Sequence, residues 1–354
     1  MQTHFPSFVT QNNSNPKTVP TGNLGFGQHF SDHVFLAQYN SENGWVSSGI
    51  MPFAALSLDP ACSVLHYAQS VFEGLKAFRT HDQKIVLFRP DFHAKRLQVS
   101  AEALCLPPVD CNDFMAACKL LVKTDQHFIP SGDGESLYIR PLLFASESFL
   151  GVRPANEITF VIMTGPVGGY YGKTFEPTAI WVEEHASRVA PGGIGFAKAS
   201  GNYAASLKAA TLAKKNGYNQ VLWLDAAHHE FVEEVGTMNI FFRIGNTLIT
   251  PNLSGNILAG CTRDCVLTLA KEHNFTVEER PISIKEVFAA AKNKTPLEAF
   301  GTGTAAVVSP IKTIATADAQ IHFTQHEYAS FFSEQIVGIQ QGHITDSHNW
   351  NQIV

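Results

Sequence analysis

Charged residues are scarce in this sequence, and positive charge is not in excess. Asp, Glu, Lys and Arg make up 16% of the 354 residues, and the formal net charge is −6. A broad nucleic-acid surface needs clustered Lys and Arg, so this balance argues against a nucleic-acid partner. No apolar run approaches the roughly 18 residues that span a bilayer. The polar segment 1–20 lacks the apolar stretch of a signal peptide. A cytoplasmic protein without a membrane partner is therefore expected.

Several motifs of well-known catalytic sites are also missing. The sequence contains no H-E-x-x-H, no G-x-S-x-G, no Walker loop and no G-x-G-x-x-G, which argues against the chemistry that each of them carries. Residues 228–230 read H-x-E, but the P-C-x-x-C of a zinc deaminase is absent. The six cysteines form no C-x-x-C pair. They are expected to be reduced, mostly buried thiols, and no metal site is predicted.

The length and the element pattern predict two domains of the α+β class. A chain of this length allows about two domains. Strand-like runs, such as Leu137–Phe144 and Gln220–Leu224, alternate with helical patterns without a strict βαβ rhythm. Four glycines and a proline in 165–172 predict a break between domains. The predicted division is an N-terminal arm, a small N-terminal domain, a linker and a large C-terminal domain, at 1–30, 31–164, 165–177 and 178–354.

Individual elements are predicted from spacing and capping. Asp91 is expected to cap a helix, and Phe114, Cys118 and Leu121 fall on one face of the next helix. Gly245-Asn246 predicts a hairpin turn within 239–250.

Lys198 stands in a stretch of small and apolar residues, 191–201. A desolvated lysine has a lowered pKa and acts as an amine nucleophile toward an aldehyde. The alternative is an ordinary loop lysine beside a tight turn, and this stretch alone favours that alternative.

Glu234 lies between two strand-like runs, where a carboxylate suits a pyridine nitrogen. Its neighbours Glu230 and Glu233 favour a solvated edge charge instead.

Three segments have the composition of phosphate sites. Cys261 and Thr262 stand at the start of a predicted helix, where backbone N–H groups bind anions. A simple N-cap at Thr262 explains that segment equally well. Residues 301–304 form a small, hydroxyl-rich turn, and Arg96 offers a bidentate guanidinium. Taken singly, the residues indicate a two-domain enzyme compatible with a phosphate-bearing cofactor, and nothing more specific.

Six segments together resemble the branched-chain aminotransferases, which belong to fold type IV of the pyridoxal-phosphate enzymes. They occur in the family's order, near its spacing, and the resemblance covers roughly residues 30–345. The segments are His66–Arg79, Tyr138–Pro141, Lys198–Tyr203, Gln220–Leu224, Glu234–Asn239 and Phe300–Thr304. The resemblance implies two α/β domains with the cofactor site between them, and a cofactor-binding C-terminal domain. It also implies a homodimer.

The resemblance implies a role for each matching residue. Lys198 is the lysine that forms the Schiff base with pyridoxal 5'-phosphate and shuttles the proton. Glu234 pairs with the pyridine nitrogen, and Tyr203 hydrogen-bonds the phenolic oxygen. The residues implied to hold the phosphate are Arg96, Cys261, Thr262 and Thr304. Those implied to bind the substrate are Tyr67, Phe72, Tyr138, Arg140, Thr237 and Ala305, the backbone N–H groups of Thr237 and Ala305 taking the α-carboxylate.

The implied activity is reversible transfer of an amino group between leucine, isoleucine or valine and 2-oxoglutarate. Its partners are small molecules: branched-chain amino acids, glutamate and their 2-oxo acids. A D-amino-acid aminotransferase, an aminodeoxychorismate lyase and a non-catalytic homologue stay open as alternatives. Ala306 and Ser309 stand where mammalian members carry a C-x-x-C, so redox regulation at that position is not expected.

Overall fold

The computed structural model describes residues 2–132, 134–168 and 176–354. The chain divides into two compact units. Unit 1 consists of Met1–Lys173, Ala197–Gly201 and Gly338–Val354, and unit 2 of Thr174–Phe196 and Asn202–Val337. The short segment around Lys198 and the C-terminal segment thus belong to unit 1. The domain bounds read from the sequence stay predictions, and residues 169–175 of the predicted linker lie outside the described part of the chain.

Strands and helices alternate along the chain. The strands are β1 Val9–Thr10, β2 His33–Asn40, β3 Gly44–Pro52, β4 Ser70–Phe72, β5 Leu75–Arg79, β6 Ile85–Phe88, β7 Ser136–Ala145, β8 Glu157–Val167, β9 Thr178–Glu183, β10 Gln220–Leu224, β11 Val232–Val235, β12 Asn239–Ile244, β13 Thr247–Thr250, β14 Thr276–Glu279, β15 Leu297–Gly303, β16 Val307–Ala315, β17 Gln320–His322 and β18 Asn351–Ile353. The helices are α1 Ser63–Tyr67, α2 Pro90–Ala103, α3 Cys111–Thr124, α4 Ser200–Lys215, α5 Cys261–Glu272, α6 Ile284–Lys292 and α7 Glu327–Gln340, with a 3-10 turn at Gln126–Phe128.

Unit 1 is built on one mostly antiparallel sheet in the order β1-β3-β2-β8-β7-β5-β6-β18, with β4 paired to β7. Strands β7 and β8 run side by side over the whole length of β7. Gly165 and Pro166 belong to β8, so the predicted break begins later than the composition suggested. Proline lacks an N–H but can still accept a ladder bond through its carbonyl.

Two helices of unit 1 follow their sequence pattern, with one correction. In α3 the buried residues include Phe114, Cys118 and Leu121, as the spacing predicts. The helix is capped by Asp110, whose carboxylate accepts from Asn112 N at 2.8 Å. The prediction that Asp91 caps α2 is wrong. Pro90 is the first residue of α2 and no side chain caps it, because the fixed φ of proline suits the first helical position.

Unit 2 is built on a mixed sheet in the order β11-β10-β9-β16-β15-β12-β13-β14, with β17 paired to β16. Its core is aliphatic and aromatic and includes Leu222, Ile240 and Phe242. The hairpin β12–β13 turns at Gly245, whose φ of 63° is left-handed, as the Gly-Asn pair predicts. The turn predicted at 301–304 is displaced, since 301–303 are strand residues and the chain turns at 304–306.

The α+β class predicted from the sequence is confirmed by this mixture of curled sheets and helices. Among the described residues, no helix has the length and apolar content needed to cross a membrane.

Candidate active site

The backbone around Lys198 is anchored to unit 1 by hydrogen bonds on both sides. Lys198 N donates to Ser100 Oγ at 2.9 Å, and Phe72 N donates to Lys198 O at 3.1 Å. Ala199 forms a β-bridge with Val71. The glycine-rich stretch before Lys198 therefore leads into a short segment that is held like a strand. This anchoring argues against an ordinary loop lysine, and the catalytic role of Lys198 stays a prediction.

The amine of Lys198 has an altered proton affinity. Desolvation by burial is the main cause, and the nearby Arg96 adds to it; together they lower the pKa of Lys198 from 10.5 to about 8. At a pH of about 7.5 such a shift raises the neutral, nucleophilic fraction of the amine roughly 200-fold. Burial lowers the pKa of Lys76 to about 8 as well. The pKa therefore does not distinguish the two lysines, and the assignment to Lys198 rests on the motif around it.

Three residues that the sequence assigns to substrate surround the Lys198 amine. The Nζ atom lies 4.6 Å from the centre of the Phe72 ring, and the Arg140 guanidinium lies 4.8 Å from that same ring. Arg140 Nη2 donates to the Tyr138 hydroxyl at 3.0 Å. Arg140 Nε is buried without a hydrogen-bond partner among the described residues. Unit 1 thus brings Phe72, Tyr138, Arg140 and Lys198 together.

A buried ion cluster that sequence reasoning missed lies beside this group. The Glu73 carboxylate is fully buried and accepts from Arg96 Nε at 2.7 Å, Arg96 Nη2 at 2.8 Å and His93 Nδ1 at 2.6 Å. Despite desolvation, the charges and hydrogen bonds of Arg96 and His93 hold the pKa of Glu73 well below its usual range. The sequence does indicate this cluster in one way: α2 has polar residues at core-facing positions, namely His93, Arg96 and Ser100.

Two predicted site residues of unit 1 have surroundings that the sequence did not suggest. Arg96, assigned to the phosphate, presents its Nε–Nη2 edge to Glu73, so its charge is partly balanced within the chain. Tyr67 is 41% exposed and its hydroxyl donates to the Leu150 carbonyl, which places it on the surface of unit 1. Both assigned roles stay predictions.

Glu234 is a buried carboxylate of unit 2 rather than a solvated edge charge. It lies on β11 opposite Trp223 and is 4% exposed. Oε1 accepts from Leu258 N at 2.8 Å, and Oε2 lies 3.3 Å from Arg188 Nε. A carboxylate accepts up to about four hydrogen bonds, so these two contacts are compatible with a further donor. Arg188 is a second residue that sequence reasoning missed, and no local pattern marks it.

The segment before α5 is held by close contacts with Asn239. Asn239 Nδ2 donates to the Leu258 carbonyl at 2.9 Å. A Cβ at Gly260 would lie 1.9 Å from Asn239 Oδ1, so a larger residue there would displace the Asn239 side chain. Helix α5 then begins at Cys261, and no side chain caps it. The first N–H groups of a helix lack acceptors within the helix, which makes this start suitable for an anion.

Two turns of unit 2 carry the remaining predicted site residues. Thr237 lies in the turn between β11 and β12, and Thr304 and Ala305 lie in the turn between β15 and β16. Met238, which follows Thr237, packs against β15, because a Cβ at Gly301 would lie 2.8 Å from Met238 Cε. A small pocket is lined by Arg188, Asn202, Tyr203, Ser206, Glu234, Gly236 and Thr237. Unit 2 therefore gathers Tyr203, Glu234 and Thr237 around one cavity.

The fold is that of a known class of enzyme. A crystal structure of the branched-chain amino acid aminotransferase of Escherichia coli superposes with a TM-score of 0.75 and 26% identity, covering 91% of this chain and 98% of that one. The branched-chain aminotransferase of the thermophilic archaeon Thermoproteus uzoniensis, solved with norvaline, gives a TM-score of 0.75 and 25% identity, over 90% and 99% of the two chains. The two curled sheets thus have the fold type IV architecture.

Relatives found by sequence have higher identity to this chain than these solved structures. The branched-chain-amino-acid transaminase 1 of Bacillus subtilis strain 168 is 46% identical over 335 residues, covering 92% of this chain and 93% of the relative. A probable branched-chain-amino-acid aminotransferase of Staphylococcus epidermidis is 44% identical over 334 residues, 93% of each chain. Residues 70–314 match the family Amino-transferase class IV, and the chain belongs to this family. Enzymes of this family depend on pyridoxal phosphate.

The chain's own residues fit that cofactor. The Lys198 amine, with a pKa of about 8, is suited to bind the aldehyde of the cofactor. A buried carboxylate matches a protonated ring nitrogen. The start of α5, which no side chain caps, suits a phosphate.

Proposed function

We propose that this protein is a branched-chain amino acid aminotransferase that exchanges amino groups between leucine, isoleucine or valine and 2-oxoglutarate. The observation that carries the proposal is the Lys198 amine, which has a lowered pKa and lies against Phe72 beside Arg140. The curated relatives of 44–46% identity bear this name. We further propose that the protein works in the cytoplasm, where its small-molecule substrates are found.

The residues divide the chemistry among them. Bound pyridoxal phosphate supplies an aldehyde and an electron-accepting ring. Lys198 Nζ would hold that aldehyde, and its amine is the group placed to move the proton of the substrate Cα. Glu234 would hold a proton at the ring nitrogen. Arg188 and Leu258 N orient the Glu234 carboxylate.

The residues around Phe72 suit the two kinds of substrate that one site must accept. In one half-reaction the side chain is aliphatic, and the Phe72 ring offers an apolar surface. In the other the side chain is the carboxylate of glutamate, and Arg140 with the Tyr138 hydroxyl offers positive charge and a hydrogen bond. The buried, unpartnered Arg140 Nε among the described residues supports a further acceptor at this position.

A panel of amino donors assayed with 2-oxoglutarate tests the proposed activity. We expect L-leucine, L-isoleucine and L-valine to be used well, and L-alanine and L-aspartate poorly. A larger aliphatic side chain buries more apolar surface against the Phe72 ring, which favours binding. D-amino acids are expected to be inactive. Preference for a D-amino acid, or formation of pyruvate from aminodeoxychorismate without amino transfer, would assign the protein to another activity of the same fold.

A second copy of the chain is the proposed macromolecular partner. Unit 1 has an exposed apolar patch, here called the 56–152 patch. It consists of Leu56, Leu58, Leu65, Tyr67, Phe149, Leu150 and Val152. Its segments are joined, since Phe149 N donates to the Ala61 carbonyl at 3.0 Å and Tyr67 to Leu150. Contiguous apolar surface of this kind marks interfaces in soluble proteins.

We expect a homodimer at micromolar concentration that the 56–152 patch holds together. Leu150→Asp should weaken it about tenfold or more, because a buried charge at an apolar interface lacks a partner. Val46→Asp is the matched control, an exposed valine on β3 at 50% exposure. Light scattering with a dilution series measures the mass. A monomer of the unmodified protein, or equal dissociation of both variants, would contradict the proposal.

A further inference from the structure

Glu73 is a buried charge close to the Lys198 segment. It has no role in the chemistry proposed above. Its backbone is tied on both sides. Phe72 N, which precedes it, bonds Lys198 O at 3.1 Å, and Glu73 N bonds the carbonyl of Pro141, next to Arg140, at 2.9 Å. The residue is completely buried. Its carboxylate therefore stands at a fixed place relative to Lys198 and to the substrate-binding strand β7.

The geometry of the Glu73 carboxylate fixes the Arg96 guanidinium. Arg96 uses Nε and Nη2 on the two carboxylate oxygens, at 2.7 and 2.8 Å, which is the bidentate arrangement that sets both the position and the plane of the group. His93 Nδ1, one helical turn before Arg96, completes the arrangement at 2.6 Å. A buried arginine without such a partner would carry an uncompensated charge.

We propose that Glu73 is a positioning residue, which orients Arg96 and balances its positive charge in front of the Lys198 amine. The inference rests on the proposed function and deepens it. The charged and titratable groups that act on Lys198 come from three elements: Arg96 from α2, Tyr138 and Arg140 from β7, and Glu73 itself between β4 and β5. His93 faces Glu73 from α2.

The sign of the effect follows from these charges. Arg96 and Arg140 lower the pKa of Lys198, and Glu73 raises it. A neutral residue in place of Glu73 removes the raising contribution and leaves the lowering contribution of Arg96. The protonated, lysine-bound cofactor then loses its proton at lower pH. Removal of both charges brings the proton affinity back toward that of the unmodified protein.

A pH titration of the absorbance of the lysine-bound cofactor tests this proposal. In Glu73→Gln we expect the midpoint to fall by about one pH unit, the lower end of what one neighbouring charge causes. In the double variant Glu73→Gln/Arg96→Gln we expect it within about half a unit of the unmodified protein. We also expect Glu73→Gln to bind pyridoxal phosphate about tenfold more weakly by equilibrium dialysis, since Arg96 is no longer oriented.

Glu147→Gln is the matched control, because Glu147 also pairs with an arginine, Arg153, at 2.8 Å, but on the surface. It should leave the midpoint unchanged. If Glu73→Gln is obtained unfolded, Glu73→Asp takes its place and should keep the midpoint while weakening cofactor binding. An unchanged midpoint in Glu73→Gln, or a double variant that stays shifted, would overturn the proposal. Absence of any lysine-bound cofactor in the unmodified protein would instead refute the proposed function.

Discussion

Lys198→Ala is expected to lose transamination almost completely. The neutral amine is the only group assigned both the covalent bond to the cofactor and the movement of the Cα proton. Acid–base catalysis of this kind is typically worth about 10²–10⁴-fold, and the covalent route adds to that loss. The cofactor should still bind, non-covalently and more weakly, through the groups that hold its phosphate.

Two controls make the Lys198 result specific. Lys208 on α4 is an exposed lysine, and Lys208→Ala should retain near-normal turnover. Borohydride reduction followed by peptide mapping should place the pyridoxyl group of the unmodified protein on Lys198. Lys76 is the informative competitor, since burial lowers its pKa to about 8 as well. A pyridoxyl group found on Lys76 would transfer the catalytic assignment and the roles derived from it.

Glu234→Gln has the second largest expected effect. A neutral amide no longer favours protonation of the ring nitrogen, so the ring accepts electrons less well. We expect turnover to fall about 10²-fold, the size of effect seen when one preorganised electrostatic group is removed. Cofactor binding should change little, because the start of α5 and the turn at 304–306 are untouched. Steady-state kinetics and equilibrium dialysis measure the two effects separately.

The neighbouring glutamate is the control for this change. Glu233 is also buried, accepts from Asn256 Nδ2 at 3.0 Å and keeps Oε2 without a partner among the described residues. Burial raises the pKa of Glu233, so a neutral amide removes a charge that burial already disfavours. Glu233→Gln should therefore stay within a few-fold of normal turnover. Near-normal turnover of Glu234→Gln would show that Glu234 is not the partner of the ring nitrogen.

Local patterns were sufficient for most of the elements. The spacing of Phe114, Cys118 and Leu121 predicts α3 because neighbours at three and four positions share a helical face. Gln220–Leu224 is found as the strand that its β-forming residues predict. The predicted positions of a helix cap and of a turn differ from those in the structure. Asp91 does not cap α2, because Pro90 takes the first helical position. The turn predicted at 301–304 lies at 304–306, since strand pairing decides where a hairpin closes.

The candidate site shows more clearly what the sequence predicts and what only the tertiary structure decides. The sequence by itself predicts the chemistry-bearing residues, Lys198 and Glu234 among them, because their order and spacing resemble those of a family whose chemistry requires them. Only the tertiary structure decided that Glu234 is buried, that Asn239 holds the segment before α5, and that Glu73 engages Arg96. The physical reason is that burial and hydrogen-bond partners depend on residues far apart in the chain. Glu73 and Arg96 are 23 positions apart, and no periodicity along the chain reports a carboxylate and a guanidinium that meet only after the strands and α2 have packed.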